Sequence, residues 1–371
     1  MPENKNIKHY LFHLGHPAHY HLFKNTINRI KEAGHDVSIL IKKKDVLETL
    51  LKNERHSYTN ILPEGRADNK IGIFTGMLKT DLRLIRYCLK HKPDLLIGTS
   101  YAISHVGRLL SIPSINVNED DAEAVPFYAK FSYPWASVIL SPTVCKNGKW
   151  EKKSVKYYGY HELAYLHPDV FKPDASVAGK YVNINRTYFL LRFASLNAHH
   201  DTGIAGITDK RALELIEILE KAGPVYITSE RMLPENLEKY RLKIDPTAIH
   251  HVMAFTALYI GDSQTMACEA GVLGVPFIRF NDFVGRIGYL EEMVNTWHLG
   301  FGFRTNQYDK MIEKIKELLA MENIKKIWLE RKNAMLAEKI NVNSFLYWFI
   351  ENYPESFRIM KEDPDYQKKF R

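Results

Sequence analysis

Cysteine is scarce. Cys88, Cys145 and Cys268 are the only three in 371 residues, and no two have paired spacing. That excludes a disulfide scaffold and a cysteine-rich zinc module, and it suits a reducing compartment. Long apolar runs are missing as well; none approaches the roughly 18 residues needed to cross a bilayer. Met1 to Lys8 is polar and leads straight into a strand-like run, without the apolar stretch of a signal peptide. A cytoplasmic location is the expectation. No helix-turn-helix and no RNA-recognition signature is present, which argues against nucleic acid as a partner. Nor is there a short-period repeat. An Asp-x-Asp motif near a strand end is lacking, since Asp363-Pro-Asp365 lies in a polar C-terminal stretch. No metal and no other cofactor is therefore expected.

What is present is an ordinary globular composition, 45% hydrophobic and 25% charged. At roughly 150 residues per domain, the length allows two to three domains. Basic residues number 51 against 43 acidic ones, a net charge of +8. Such a balance is either a plain solvated basic surface or one suited to an anionic partner, nucleotide phosphates or an acidic membrane surface.

Apolar runs alternate with helical spacing. Strands are predicted at His9–Leu14, Val37–Ile41, Asp94–Ile97, Ser114–Val117 and Ser137–Leu140, and helices at Asp45–Leu51, Leu78–Leu89 and Ile103–Leu110. Another helix, carrying Leu22, Ile27 and Ile30, stops near Gly34. The rhythm weakens between Tyr165 and Thr187, where Pro168, Pro173 and Ala175–Gly179 read as a connection. It restarts with strands at Tyr188–Phe193, Val225–Thr228, Leu258–Ile260 and Pro276–Phe280, and helices at Lys210–Lys221, Thr265–Leu273 and Tyr308–Met321. The remainder, Ile324–Ile340 and Ser344–Tyr353, reads as helical. A β-α-β rhythm means a parallel sheet covered on both faces. The expectation is two Rossmann-like, doubly wound α/β domains, 1–170 and 171–371, facing a central cleft. The last helices are free to pack back on the first domain.

Five segments could carry chemistry. In Tyr259–Arg279 a strand ends at Ile260, Gly261-Asp262-Ser263 turns, and a helix begins near Thr265. Unpaired amides at a helix start bind phosphate, and Ser263 and Thr265 add hydroxyls. Glu269, one turn further in, can accept from ribose hydroxyls. His13-Leu-Gly-His-Pro-Ala-His-Tyr-His21 puts Gly15, His16 and His19 on the first strand-to-helix turn, where imidazole serves as base or phosphate donor. No carboxylate or thiol accompanies these histidines, so a metal site is not favoured. Asn116–Glu123 offers Glu119, Asp120, Asp121 and Glu123 as proton acceptors, with the two aspartates ranked first; the alternative is an acidic helix cap. After the strand ending near Arg192 come His199, His200 and Asp201, with Arg192 suited to bidentate phosphate contact. Tyr157–Tyr165, aromatic-rich, reads mainly as packing, with His161 and Glu162 within it.

Asp262-Ser263, Glu269-Ala270, Leu273-Gly274-Val275-Pro276 and Arg279 resemble the nucleotide-sugar motif of the GT-B superfold, which holds glycosyltransferases and UDP-N-acetylglucosamine 2-epimerases. The resemblance implies that Gly261, Ser263, Gln264, Thr265 and Met266 lie against the diphosphate, Glu269 against the ribose, and Arg279 beside them. Gln264 and Thr265 stand where epimerase-type sequences have glycines. The first turn, Val155–Leu166, the strand ending at Arg192, and Thr265-Met266 resemble a bacterial and archaeal domain-of-unknown-function family placed near these enzymes.

By this resemblance the chain is a metal-independent glycosyltransferase using a UDP-type sugar in surface-polysaccharide biosynthesis. The acceptor would be a saccharide or a lipid-linked one. Peripheral membrane contact is read from the aromatic and basic residues of Ile71–Lys92, among them Phe74, Met77, Lys79, Arg83 and Arg86; the alternative is an ordinary amphipathic core helix with a basic outer face. Two alternatives are a 2-epimerase and a non-catalytic nucleotide-sugar binder. Against the epimerase stand two missing carboxylates. Lys92-Pro-Asp-Leu-Leu-Ile-Gly-Thr-Ser-Tyr101 lacks the catalytic aspartate, and Ile112-Pro-Ser-Ile-Asn-Val-Asn118 lacks the His-Val-Glu, with Glu119 one place late.

Overall fold

The computed structural model describes residues 7–44, 46–65, 70–194 and 206–371, apart from the side chains of 70 and 71. The chain forms two compact units, one from Met1–Val170 with Ile340–Arg371, the other from Phe171–Lys339. The expectation of two doubly wound α/β domains holds, since each unit is a parallel sheet flanked by helices.

In the first unit the strands are β1 (His9–Leu14), β2 (Asp36–Lys42), β3 (Thr59–Leu62), β4 (Leu95–Gly98), β5 (Ser114–Val117), β6 (Val138–Pro142) and β7 (Ser154–Tyr157). Their order across the sheet is β3-β2-β1-β4-β5-β6-β7. β1 is central and buried from Tyr10 to Leu14, as a strand covered on both faces must be. Leu11 joins Leu40, Leu84, Leu96, Ile103 and Val106 in a core beneath the helices Lys70–His91 and Tyr101–Leu110. Phe12, pointing the other way, meets Phe23 of the helix Pro17–Glu32 at 5.5 Å between ring centroids. Burying each such side chain contributes about 1.5–3 kcal/mol. The C-terminal segment belongs to this unit. The Ile340 amide donates to the Tyr158 carbonyl at 2.8 Å, and Thr26 donates to Asn343 at 3.1 Å.

In the second unit the strands are β8 (Phe189–Phe193), β9 (Val225–Ser229), β10 (Leu258–Gly261), β11 (Phe277–Phe280) and β12 (Gly300–Phe303), ordered β12-β11-β10-β8-β9. Each sheet thus contains one place where consecutive crossovers leave in opposite directions, beside β1 in the first unit and beside β8 in the second. Ligands of open α/β sheets bind at such switch points, beyond the carboxyl ends of the strands.

Candidate functional site

In the second unit the switch point lies between β8 and β10, where Arg192 and Gly261 are register partners. After Gly261 the chain turns through Asp262 and Ser263 into the ten-residue helix Gln264–Leu273. Ser263 caps it, accepting from the Met266 amide at 3.4 Å. Ser263, Gln264, Thr265 and Met266 are all half-buried, so the first turn, with its partial positive charge, is open to a ligand. The Arg192 side chain is ion-paired with Glu230, which follows β9. Among the described residues, then, one cation, one hydroxyl cap and one helix start meet at a single sheet position.

Glu269 lies in the second turn, buried, and Nε2 of His250 is 2.9 Å from one of its oxygens. Arg279 is fully buried on β11 and pairs with Glu291 at 3.0 Å, while Glu291 also accepts from the Gly285 amide at 2.9 Å. Burial pulls its guanidinium below the usual arginine range. His199, with His200 and Asp201, lies outside the described residues. Asp262 has a part that its sequence context did not reveal. Its carboxylate accepts from the amides of Ala194 at 2.6 Å and Ile207 at 3.3 Å, and its carbonyl accepts from Asn281 at 2.8 Å. It therefore ties the segments after β8 and β11 to the turn after β10. Burial pushes its carboxyl up to about 6, against the opposing pull of those amides.

In the first unit the switch point lies between β1 and β4, where His13 is the register partner of Gly98. The buried His13 places Nδ1 2.8 Å from the Ser100 hydroxyl. Pro17 opens the following helix, and His16 caps it through Nδ1, which accepts from the Ala18 amide at 3.2 Å. Nδ1 of His19 accepts from the Gly15 amide at 3.2 Å. Because Nδ1 is the acceptor in both, a neutral His16 or His19 carries its proton on Nε2 and presents an N–H donor there. Lys42, at the end of β2, packs beside Gly15; a β-carbon there would lie 2.9 Å from its Cε. His161, after β7, has Nδ1 3.4 Å from Glu119.

Three of these imidazoles, His13, His19 and His161, are held neutral at physiological pH. Burial, followed by the charge of Lys42, pushes His13 down to about 3. Burial alone takes His161 to about 3 despite the nearby carboxylate. His19 falls well below the usual range, through burial first and then His16, Lys42, His161 and His13. His16 and His19 are thereby brought together with His13, Lys42, His161 and Glu119. Asp120 and Asp121 are half-buried after β5, with Asp121 accepting from the Lys146 amide at 2.7 Å. Lys42 carried no sequence signal, because only the β1–β2 pairing brings it to the turn. No group of three or more His, Cys, Asp or Glu suited to a metal occurs among the described residues.

Gly98 is required at this junction. A β-carbon there would lie 2.5 Å from the His13 carbonyl oxygen, which belongs to the neighbouring backbone. Gly98→Ala should therefore destabilise the first unit by about 1–3 kcal/mol, the usual range for overpacking. Urea unfolding with an unchanged midpoint would show that β1 and β4 separate without cost.

No family model matches the chain, and no curated protein sequence matches it. Solved structures do. A proposed UDP-N-acetylglucosamine 2-epimerase of Listeria monocytogenes superposes with a TM-score of 0.68 at 11% identity, covering 95% of this chain and 98% of that one. The UDP-GlcNAc 2-epimerase of Methanocaldococcus jannaschii, in complex with UDP-GlcNAc and UDP, gives 0.62 at 14% identity, covering 85% and 93%. CalG4, the calicheamicin glycosyltransferase, gives 0.55 at 12% identity, covering 94% and 100%. With two Rossmann-like units, a switch point in each, and this likeness along nearly its whole length, the chain has the fold shared by UDP-GlcNAc 2-epimerases and GT-B glycosyltransferases.

Proposed function

We propose that the protein is a GT-B-type glycosyltransferase whose donor is a UDP-sugar and whose product enters a cell-surface polysaccharide. The observation that carries the reading is the meeting of Arg192 with the start of the helix Gln264–Leu273 at the β8/β10 switch point. An arginine and helix-end amides can offset charge on a leaving diphosphate without a divalent ion. That a fold neighbour binds UDP-GlcNAc and UDP supports the same donor class.

The acceptor is assigned to the first unit, as a saccharide, free or lipid-linked, the latter with peripheral membrane contact. His16 and His19 offer donors to its oxygens or to phosphate. That leaves proton abstraction to the half-buried carboxylates after β5, Asp120 and Asp121.

The epimerase reading would use the same donor site, and the epimerase neighbours keep it as the second reading. Against it, Asn116 donates to Ser132 at 2.7 Å and Asn118 to Tyr133 at 2.7 Å. Amides tied to buried hydroxyls thus stand where that enzyme's histidine and glutamate would be.

Glu269 is proposed to hold the ribose, which Glu269→Gln tests while keeping an acceptor for His250. UDP affinity, measured by calorimetry on the full chain, should fall about tenfold, the loss of one charge-assisted hydrogen bond. Equal affinity in the two proteins would remove the ribose assignment.

A further inference from the structure

The helix Lys70–His91 turns one apolar stripe to the core and a second to solvent. Ile73, Met77, Thr80, Leu84 and Cys88 are buried. Phe74, Leu78, Leu82 and Leu89, spaced by about one or two turns, are exposed, Phe74 at 61% and Leu82 at 57%. Met77, which the sequence placed among the contact residues, therefore faces inward. Beside the apolar stripe runs a basic one, made of Lys79, Arg83, Arg86 and Lys90.

A polar bridge through His105 joins this helix to its neighbours, and exposed aromatic residues flank the bridge. Asp81 meets Nδ1 of His105 at 2.9 Å, and Nε2 of His105 lies 2.6 Å from the Phe131 carbonyl. The Trp135 ring lies edge-on to His105 at 6.4 Å. Phe131 and Trp135 are both exposed, so one surface runs from the helix Pro126–Ser132 to the apolar edge of Lys70–His91. Together the helices Lys70–His91, Tyr101–Leu110 and Pro126–Ser132 carry seven lysines and arginines against one acidic residue, Asp81.

The basic edge opens into a hollow of about 560 Å³ lined by Arg83, Arg86, Lys90 and His91 together with Asn60 and Tyr87. Glu64 engages Arg83 through two contacts of 2.9 Å and lies 3.6 Å from Lys79. Arg86 and Lys90 are exposed beside it.

We infer that this face docks on an anionic lipid surface, with Phe74, Leu78, Leu82, Phe131 and Trp135 entering the interfacial layer and the basic edge seating headgroup phosphates in the hollow. Contiguous exposed apolar surface marks an interaction site. An apolar stripe edged by Lys and Arg is the pattern of a helix lying in a membrane interface. A second copy docked isologously here would bring the same basic edge within reach of itself, whereas anionic headgroups meet it with opposite charge. The inference deepens the lipid-linked acceptor and rests on that reading for its purpose, while its chemistry comes from this surface alone.

The test is flotation of the full chain with vesicles of phosphatidylglycerol and phosphatidylcholine in equal parts, and of phosphatidylcholine alone, at low and high salt. The protein should float with the anionic vesicles at low salt and far less with the neutral ones. Each basic residue near an anionic surface contributes about fivefold in affinity, so Arg86→Gln/Lys90→Gln should weaken binding about 25-fold. Phe74→Ser/Leu82→Ser, both at exposed positions, should abolish whatever binding survives high salt. Absence of flotation at low salt overturns the inference, as does binding that neither double variant weakens. A concentration-dependent dimer lost in Phe74→Ser/Leu82→Ser, without vesicle binding, would assign the face to a second copy. UDP calorimetry on the same samples keeps the donor-site reading separate: intact UDP binding without flotation overturns the docking surface only, and flotation without UDP binding overturns the donor site only.

Discussion

Arg192→Ala should weaken UDP binding about 100-fold. Two effects act in the same direction. The substitution removes a charge-assisted contact, which contributes about 1.5–3 kcal/mol, or roughly 10- to 100-fold in affinity. It also strips Glu230 of the cation it now pairs with, leaving a carboxylate beside a site proposed to hold phosphate. Repulsion then adds to the loss, so the effect should fall at the upper end. Arg192→Ala/Glu230→Gln should recover part of the affinity, because the residual repulsion is gone. Arg192→Lys should lie between wild type and Arg192→Ala, since an ammonium keeps the charge but not the planar fork. Calorimetry on the full chain gives all four affinities. Wild-type affinity in Arg192→Ala would move the diphosphate away from the β8/β10 switch point and take the donor-site reading with it.

The first unit should lose stability steeply as the pH falls below about 6.5. His13, His19 and His161 are held neutral by burial, the first and last at about 3. In the unfolded chain each returns to its ordinary value of about 6.5. Between those limits the unfolded state binds more protons, so stability rises with pH across the window and is lost as pH falls. Each fully coupled group can change the free energy by up to about 1.4 kcal/mol per pH unit, and three together by roughly 4 kcal/mol. That is a large part of a typical stability of about 5–15 kcal/mol.

The second unit carries one group of opposite sign. Asp262, raised to about 6, binds its proton more tightly folded than unfolded. Acidification from about pH 6 towards 4 therefore favours the fold at that position. His105 in the first unit acts in the same sense, since burial lowers it but Asp81 and the Phe131 carbonyl raise it further, and the three lowered imidazoles outweigh the two. A calorimetric melt at pH 7 and pH 5.5 should show the transition falling by about 10 °C or more. His161→Gln and His13→Gln should flatten the dependence even if they lower the transition at pH 7, because they remove the titrating group. A transition that holds or rises on acidification would mean that these imidazoles are already protonated in the folded protein.

What the sequence determined by itself is what local patterns can encode. β1 and β5 fall at the residues the apolar runs predict, His9–Leu14 and Ser114–Val117. The helix after Ser263 begins one residue before the position expected from the Gly-Asp-Ser turn. Arg192 and Gly261 were legible as strand-end residues because a turn must follow a strand that a crossover helix succeeds. β3, β7 and β12 escaped the same reading. Each is four residues long and carries polar residues or glycine, so its extended form depends on a neighbour's hydrogen-bond ladder.

Only the tertiary structure decided the partners. Glu230 for Arg192, His250 for Glu269, and Lys42 and His161 for the first histidine turn all lie far apart in sequence. Strand order across each sheet, which no local pattern states, brings them together. The direction of the helix Lys70–His91 was settled in the same way. Its sequence offers apolar residues on more than one side, and only packing against the sheet puts Met77 and Leu84 inside while leaving Phe74 and Leu82 in solvent. Spacing along a helix fixes which side chains share a face, but the neighbouring elements fix which face is buried.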